Sequence, residues 1–518
     1  MNGAQFLCET LLANDIDVCF ANPGTSEMHF VAALDQQPGM RCVLGLFEGV
    51  VTGAADGYAR MARKPAATLL HLGSGLGNGL ANLHNARRAH TPMVNVVGEH
   101  ARHHLAYDAP LTSDIRAIAS AVSTQVQTAA SPESLRDDVA QTVAAALQPP
   151  GGIGTLILPA DIAWSEVPAG TVAPRLSKPE PARVADAAIE QAAQAIRSGR
   201  ALLLLGGDAL FHAPLLAAYS ICRATGAEML AETLGARMQR GRHAVPVAKL
   251  PYTVDAALER LRHVEQLILI GASEPVAFFA YPGKPSTLAP AGCRVHELAA
   301  PGHDLADTLQ RLCLALGVEL LTEAPAVAPA QLADAGSGPL NARAVCLAVA
   351  ALLPEGAIVS DESVTQGRSF YEASLGSAPH DYLQLTGGAI GQGLPLATGA
   401  AVACPSRQVV SLQADGSAMY TVQSLWTQAR ERLKCLTVIL SNRSYAILHN
   451  EMRNVGVEHL GRNASHMLSI GDPDIGWAQL AASMGVASRS ASTVEDFIQA
   501  FREGLAAPGP FLIEAVLP

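Results

Sequence analysis

The chain has 518 residues, of which 49% are hydrophobic and 16% charged, a balance that excludes intrinsic disorder and can fill large buried cores. At about 150 residues per domain, this length predicts about three domains. The net charge of −11 argues against nucleic acid or an anionic membrane as the main partner.

The beginning of the chain and its cysteines favour a cytoplasmic protein. Met1–Glu9 lacks the basic and apolar regions of a secretory signal, and no stretch reaches about 18 uninterrupted apolar residues, so we expect no transmembrane helix. The nine cysteines include no C-x-x-C pair, which favours reduced thiols over disulfides or structural zinc. Gly283-Lys284 is followed by Pro285, which excludes a phosphate-binding P-loop.

Two proline-rich stretches divide the chain into three segments of domain size. They are Ser165–Pro181 and Thr322–Pro339, and neither shows hydrophobic periodicity. We therefore predict domains at residues 1–165, 182–322 and 340–518. In each segment, short apolar runs alternate with helix-length stretches, which is typical of an α/β domain with a mainly parallel central sheet.

The first segment contains a predicted strand and helix and then a glycine-rich run. Val43–Leu46 predicts a strand, and a helix should follow over Gly49–Arg63. Gly73–Gly79 reads GSGLGNG and predicts a turn, with a helix beginning near Leu80. The run does not fit G-x-G-x-x-G, because its sixth position is asparagine, so a dinucleotide site is disfavoured.

Two polar side chains follow consecutive predicted strands in the third segment. Asp415 follows the strand Val409–Gln413, and Asn442 follows Leu436–Leu440, with a predicted helix over Tyr420–Arg432 between the strands. Such a crossover makes the strands parallel and brings both turns to the carboxyl edge of the sheet. Carboxylate, amide and backbone carbonyl oxygens are ligands that suit Mg²⁺, which usually also binds phosphate. The alternative is ordinary turn chemistry.

Several motifs resemble, in the same order, those of the thiamine-diphosphate decarboxylase and acetolactate synthase superfamily. They are NPGTSE at Asn22–Glu27, FEGVVTGAADGYAR at Phe47–Arg60, TGGAIGQGLP at Thr386–Pro395, and the spacing from Asp415-Gly416-Ser417 to Asn442. Within the superfamily, LHLGSGLGNGLANLHNA at Leu70–Ala86 is most similar to benzoylformate decarboxylases. The resemblance implies the thiamine-diphosphate-binding fold in the first and third domains and a Rossmann-like middle domain.

Thiamine diphosphate and Mg²⁺ are the cofactors that the resemblance implies. Glu48 matches the glutamate that hydrogen-bonds N1′ of the aminopyrimidine; the alternative is a glutamate that stabilises a helix dipole. Asp415, Asn442 and the carbonyl of Ser444 match the Mg²⁺ ligands. The other cofactor-binding positions are Ser363, Val364, Thr365, Gly388, Ile390, Gly416, Ser417 and Tyr445. We expect no FAD, because the middle segment lacks a match to the flavin-contacting segments of acetolactate synthases.

Three histidines and a serine are candidates for the substrate side of the site. Ser26 and His71 match the benzoylformate decarboxylase pattern, and a histidine at that position can pass a proton to or from the substrate. His103 and His104 form a pair on a predicted loop, and pyruvate decarboxylases use such a pair in this region. The alternatives are a strand-end histidine for His71 and a plain loop for the pair.

The predicted substrate pocket departs from the known subfamilies at two positions. Phe279 stands where benzoylformate decarboxylases have a second active-site histidine, and Leu448 where pyruvate decarboxylases have a glutamate. Thr25, next to Ser26, completes the predicted pocket. The sequence therefore predicts a pocket that differs from both subfamilies.

The implied reaction is non-oxidative decarboxylation of a 2-oxo acid through an ylide and an enamine. An alternative is an acetolactate-synthase-like carboligase, which transfers the acyl group to a second carbonyl compound; a non-catalytic cofactor-binding subunit is less favoured. In the family, the positions of Glu48 and Asp415 meet one cofactor from different subunits, so we expect at least a homodimer and commonly a homotetramer. The other partner should be the small 2-oxo acid, with no nucleic acid and no membrane.

Overall fold

The computed structural model describes residues 1–518. It contains three β-sheets, each covered by helices. The sheets have six, four and seven strands. The first two are entirely parallel, and the third is parallel except for one edge strand. The α/β class and the mainly parallel sheets predicted from the alternating sequence pattern are confirmed.

The first sheet has the strand order β2-β1-β3-β4-β6-β5. Leu69 and Leu70 face opposite sides of it and join two separate apolar layers, as the alternation of side chains along a strand requires. The strands are β1 (Val18–Ala21), β2 (Arg41–Leu44), β3 (Ala66–Leu70), β4 (Met93–Glu99), β5 (Gln125–Thr128) and β6 (Ile153–Pro159). The helices are α1 (Gly3–Ala13), α2 (Met28–Asp35), α3 (Glu48–Ala62), α4 (Leu72–Arg88), α5 (Ile115–Ser120), α6 (Leu135–Leu147) and α7 (Ala160–Trp164).

Helix α4 begins earlier than the sequence predicts. The predicted glycine-rich turn at Gly73–Gly79 lies inside this helix, which starts at Leu72 rather than near Leu80. A Cβ on Gly79 would lie 2.8 Å from a methyl group of Thr52 in α3. Glycine disfavours an isolated helix by about 1 kcal/mol, but here it permits close packing of α4 on α3.

The middle sheet has the order β11-β10-β7-β8. One strand of this segment, β9, instead pairs antiparallel with the third sheet at its edge. The strands are β7 (Ala201–Leu205), β8 (Glu228–Ala231), β9 (Arg237–Arg240), β10 (Gln266–Ile270) and β11 (Arg294–Ala299). The helices are α8 (Asp186–Ser198), α9 (His212–Thr225), α10 (Val254–Leu261) and α11 (Leu305–Leu316).

The third sheet has the order β16-β17-β15-β14-β12-β13-β9. Its own strands are β12 (Ala357–Glu362), β13 (His380–Gln384), β14 (Val409–Ala414), β15 (Cys435–Ser441), β16 (Ala487–Ala491) and β17 (Phe511–Val516). The helices are α12 (Ala342–Leu352), α13 (Arg368–Ala373), α14 (Gly393–Ala403), α15 (Asp415–Ala418), α16 (Ser424–Arg430), α17 (Ala446–Asn454), α18 (Arg462–Leu468), α19 (Trp477–Ser483) and α20 (Val494–Ala506).

The crossover between β14 and β15 has the predicted topology, with a different helix. The two strands are parallel neighbours, as the sequence predicts. The prediction of a single helix over Tyr420–Arg432 is wrong. A 3-10 turn at Met419–Thr421 is followed by the shorter helix α16. Both turns nevertheless open at the same edge of the sheet.

Helix α3 of the first segment packs directly on α14 of the third. A Cβ on Gly57 would lie 2.0 Å from the carbonyl oxygen of Leu396, and one on Gly399 would lie 1.8 Å from that of Ala54. Only residues without a side chain allow two helix backbones to approach this closely. The two segments are therefore fixed against each other within one chain.

The two proline-rich stretches lack regular secondary structure apart from a 3-10 turn at Leu332–Ala335. None of the helices combines the length and apolar character needed to span a bilayer. All nine cysteines are free thiols, as predicted.

Candidate active site

Glu48 is the first residue of α3 and is buried. The amide nitrogen of Asn78 in α4 donates to Oε2 of Glu48 over 2.9 Å. A Cβ on Gly75 would lie 2.8 Å from Oε1, so the glycines of α4 leave room for this carboxyl group. The position allows Glu48 to interact with the helix dipole and equally to act on a bound group.

The candidate substrate residues of the first segment meet in one cleft. Thr25, Ser26, His71, His103 and His104 all line a cavity of about 400 Å³. Its apolar wall consists of Leu72, Ala101, Leu111, Ala160 and Trp164. The structure thus brings together residues that lie up to 79 positions apart in the sequence.

Glu27 does not line the cleft, but it is buried beside it and is not among the residues predicted from the sequence. Its Oε2 lies 2.8 Å from Nδ1 of His71 and accepts a hydrogen bond of 2.8 Å from the N–H of Gly24. The hydroxyl of Ser26 donates to Oε1. A carboxylate only accepts hydrogen bonds, so Nδ1 of His71 donates to Glu27 and Nε2 is left for the cleft. One local pattern in the sequence could have identified Glu27. A glutamate three residues after a helix N-cap, here Gly24, is typical of a helix start.

His100 is a further lining residue absent from the sequence-based candidates. Its Nε2 is buried and has no hydrogen-bond partner in the structure. The His104 ring lies 5.6 Å from the His100 ring and 5.7 Å from that of Tyr107. Since no motif includes His100, only its position at the end of β4, a parallel strand, indicated a place near a ligand.

The second half of the site lies at the carboxyl ends of β14 and β15. Asp415 is buried, and its carboxylate accepts hydrogen bonds from the backbone N–H groups of Arg443, over 2.6 Å, and Gly416, over 2.8 Å. Burial raises the pKa of Asp415, and those hydrogen bonds oppose the rise. Asn442 and Ser444 line the same small cavity, of about 50 Å³. A buried carboxylate beside an amide oxygen favours a bound cation.

All the other predicted cofactor residues of the third segment except Gly388 line this cavity. The lining residues include Ser363, Val364, Thr365, Ile390, Gly416, Ser417 and Tyr445. Val364 has φ of +48°, a left-handed conformation that a β-branched residue rarely adopts. Such local strain clusters at ligand sites, and here it turns the backbone of the loop towards the cavity side of β12.

The donor set fits a hard cation with a diphosphate. No group of three or more His, Cys, Asp and Glu side chains is arranged to hold a metal, so a cation here needs amide, carbonyl and phosphate oxygens beside Asp415. A Cβ on Gly416 would lie 2.5 Å from the ring of Tyr445. This glycine therefore keeps the turn after β14 open beside the ring.

The loop that carries Gly388 and Ile390 is fixed by a second buried carboxylate. Glu362 accepts hydrogen bonds from the backbone N–H groups of Gly391, Gln392 and Gly393, over 2.7, 3.2 and 2.7 Å. Burial raises the pKa of Glu362 to about 7, although these hydrogen bonds lower it. Glu362 therefore determines the course of the loop at the start of α14.

Phe279 and Leu448 line neither of these two cavities. Phe278, the neighbour of Phe279, is the residue that lies next to the loop carrying Gly388. A Cβ on Gly388 would lie 2.6 Å from the ring of Phe278. Phe279 packs on Phe278 with ring centroids 5.0 Å apart and remains half exposed. The predicted pocket role of Phe279 and Leu448 stays a prediction.

The two cavities share no lining residue. Glu48 and the cleft belong to the first segment, whereas Asp415 and Asn442 belong to the third. Neither cavity is lined by residues of both segments.

Comparisons with known proteins confirm the resemblance. Residues 1–122 match the family described as "Thiamine pyrophosphate enzyme, N-terminal TPP binding domain", and residues 370–515 match its C-terminal TPP binding domain. The chain is 51% identical to the Mycobacterium tuberculosis protein named "Putative acetolactate synthase large subunit IlvX", over 100% of this chain and 99% of the relative.

Decarboxylases are also among the relatives. A benzoylformate decarboxylase of Pseudomonas aeruginosa is 29% identical over 98% of this chain and 97% of its own length. The structure of a Rhodococcus jostii thiamine diphosphate-dependent 4-hydroxybenzoylformate decarboxylase superposes with a TM-score of 0.85 at 25% identity, covering 100% of this chain and 99% of the other.

Proposed function

The chain belongs to the thiamine pyrophosphate enzyme family, and from this premise we propose that it is an acetolactate-synthase-like carboligase. It would remove CO₂ from a 2-oxo acid and transfer the remaining acyl group to a second carbonyl compound. The observation that carries this proposal is the 51% identity over the whole chain to a relative with an acetolactate synthase name. The cleft of about 400 Å³ leaves space for an acceptor beside the donor.

In this proposal, residues of both segments hold the cofactor and its metal. Glu48, Gly388 and Ile390 would hold the aminopyrimidine, and Asp415, Asn442 and the Ser444 carbonyl would bind Mg²⁺. When bound, thiamine diphosphate supplies the electron sink that makes loss of CO₂ possible.

His71 is the proposed proton-transfer group of the cleft. Because Glu27 holds Nδ1 at 2.8 Å, the imidazole ring is fixed and Nε2 can exchange a proton with the substrate. Ser26, whose Oγ lies 3.3 Å from Nδ1, adds a hydroxyl at the same wall. The catalytic role of His103 and His104 stays a prediction.

A simple decarboxylase is the second candidate function. The His71, Ser26 and Glu27 arrangement favours it, since a placed proton donor would convert the decarboxylated donor into an aldehyde. The full-length benzoylformate decarboxylase relative supports it as well. The non-catalytic alternative is disfavoured because Glu48, Asp415 and Asn442 are all present.

We also propose that the working unit is at least a homodimer, commonly a tetramer. The cavity at Asp415 is lined by third-segment residues alone and does not include Glu48. This supports the proposal, since a cofactor between two copies would meet Glu48 of one and Asp415 of the other. Sedimentation of the purified protein tests it, and a monomer with full activity would contradict it.

A panel of 2-oxo acids with product identification tests the proposed function. The protein, with thiamine diphosphate and Mg²⁺, should release CO₂ and form an acetohydroxy acid or acyloin. Aldehyde as the sole product would support the decarboxylase instead. Absence of CO₂ release from every acid would leave the non-catalytic alternative. The same preparation should show no flavin absorption.

A further inference from the structure

The cleft beside His71 contains more imidazole groups than the proposed proton transfer requires. His100, His103 and His104 line it together with His71. Only His71 is engaged by a carboxylate. We name the other three residues, His100, His103 and His104, the histidine cluster.

Two features indicate that the histidine cluster meets a ligand. Nε2 of His100 is buried without a hydrogen-bond partner, and buried polar atoms are normally paired. The ring of His104 packs against those of His100 and Tyr107, which restricts its movement. The geometry does not suit a metal, because no three of these side chains are placed to hold one.

The acidic groups around the cleft accept hydrogen bonds. Glu27 accepts from His71, Ser26 and Gly24, and these donors partly offset its negative charge. Glu99, next to His100, is buried and accepts from the backbone N–H of His100 over 2.8 Å. Asp161 accepts from the N–H and Nε of Arg102, over 2.9 and 2.8 Å. The other polar side chains that line the cleft are the imidazoles of the histidine cluster and the hydroxyl of Thr25.

We propose that the histidine cluster binds a carboxylate of the substrate that is remote from the reacting carbonyl group. Imidazole N–H groups donate to carboxylate oxygens, and bonds to an ionised acceptor are stronger than neutral ones. This inference rests on the proposed function, in which the reacting carbonyl group of the substrate lies beside His71. The carboxylate belongs either to the donor, as in a 2-oxo dicarboxylate, or to the acceptor.

The test compares matched substrates that differ in that carboxylate, with the holoenzyme. For the donor, CO₂ release from 2-oxoglutarate is compared with that from 5-methyl-2-oxohexanoate, in which an isopropyl group replaces the distal carboxylate. For the acceptor, succinic semialdehyde is compared with 4-methylpentanal, in which an isopropyl group replaces the distal carboxylate, at a fixed pyruvate concentration. We expect kcat/KM to favour the carboxylate at least about tenfold in one arm.

Three variants connect the preference to the cluster. His104→Phe keeps a ring but removes the nitrogens, and it should abolish most of the preference, mainly through KM. His104→Gln keeps an N–H donor and should retain part of it. His263→Gln, on the exposed surface of the middle segment, is the matched control and should keep the full preference.

The outcomes separate this inference from the proposed function. Equal use of both substrates in both arms, or an equal preference in His104→Phe, would overturn the inference. If no acid, including pyruvate and benzoylformate, releases CO₂, the proposed function fails. Calorimetric titration of the holoenzyme with glutarate then decides the inference. Weaker binding by His104→Phe supports it, and equal or absent binding overturns it.

Discussion

The two halves of the candidate site use different chemical groups for different tasks. The first-segment half presents the titratable side chains Glu48, Glu27 and His71. Hydrogen bonds orient them: Asn78 donates to Glu48, and His71 donates to Glu27. The third-segment half presents a buried carboxylate, amide and carbonyl oxygens and turn backbone around Asp415 and Asn442. The first half is therefore suited to proton transfer and the second to holding an anionic ligand with a cation. Variants of the two halves should separate catalysis from cofactor affinity.

The largest effect should come from Glu48→Gln. Loss of the carboxyl group removes a proton-transfer group, so kcat should fall by about 10³-fold. Thiamine diphosphate affinity should change little, because the Asp415 cavity is untouched. Steady-state kinetics and calorimetric titration measure the two quantities, with Glu9→Gln on an exposed position of α1 as the control. A fully active Glu48→Gln variant would remove the proposed division of tasks.

Asp415→Ala should show the reverse behaviour. Removal of the one carboxylate among the proposed ligands should weaken Mg²⁺-dependent cofactor binding by about 100-fold or more. Saturating Mg²⁺ and cofactor should restore part of the turnover, since Glu48 and His71 remain. Titration of the cofactor at several Mg²⁺ concentrations measures this, beside Asp334→Ala at an exposed position. Unchanged affinity would contradict the metal assignment.

The buried carboxyl group of Glu362 allows the third-segment half to be tested by the pH dependence of the free energy of unfolding. Its pKa is raised to about 7 in the folded protein, above the ordinary value of 4.5, because burial disfavours the charged form. The folded state therefore holds a proton that the unfolded state has lost, and the associated stability disappears as pH rises through about 7. From about pH 5 to about pH 8, the free energy of unfolding should fall by roughly 2 kcal/mol from this group.

Glu362→Gln cannot titrate and should lack that part of the pH dependence. Urea denaturation of the cofactor-free protein at each pH measures the difference between variant and wild type. Asp334→Asn at the exposed turn provides the control for changing one carboxylate. Identical pH profiles for Glu362→Gln and the wild type would show that Glu362 does not hold a proton in the folded state.

Glu27→Gln should have a smaller effect, confined to the first half. An amide can present either its oxygen or its NH2 group to Nδ1 of His71, so it no longer enforces the donating form of Nδ1. We therefore expect kcat to fall by about tenfold with little change in cofactor affinity. The pH profile of kcat should also change shape, which a merely structural defect would not cause. An unaltered profile together with unaltered kcat would exclude Glu27 as the positioning residue.

Mixing two inactive variants provides the last test of the comparison. If each site takes one half from each chain, a hybrid of Glu48→Gln and Asp415→Ala contains one intact site. Random exchange of subunits would then restore about a quarter of the wild-type activity. Activity assayed after subunit exchange measures this recovery. If both halves came from the same chain, the mixture would remain inactive.

Local patterns predicted the third-segment half better than the first. Asp415 and Asn442 follow two strands of a short crossover, so the rules for parallel strands bring them together without further information. Glu27 contacts His71, which lies 44 residues away, and no local pattern identifies that pair. Glu362 was missed for the same reason, since its partners Gly391 to Gly393 belong to a different turn.

The sequence by itself determined the α/β class, because it follows from short-range periodicity, and the family, because its motifs resemble those of known members. Tertiary structure alone decided that the glycine-rich run Gly73–Gly79 forms the first turns of α4. Glycine lowers the stability of an isolated helix, and packing on α3 offsets that loss. It also decided that four histidines share one cleft and that one of them, His100, has a buried nitrogen without a hydrogen-bond partner. Such contacts depend on how distant elements pack, which is a property of the whole folded chain.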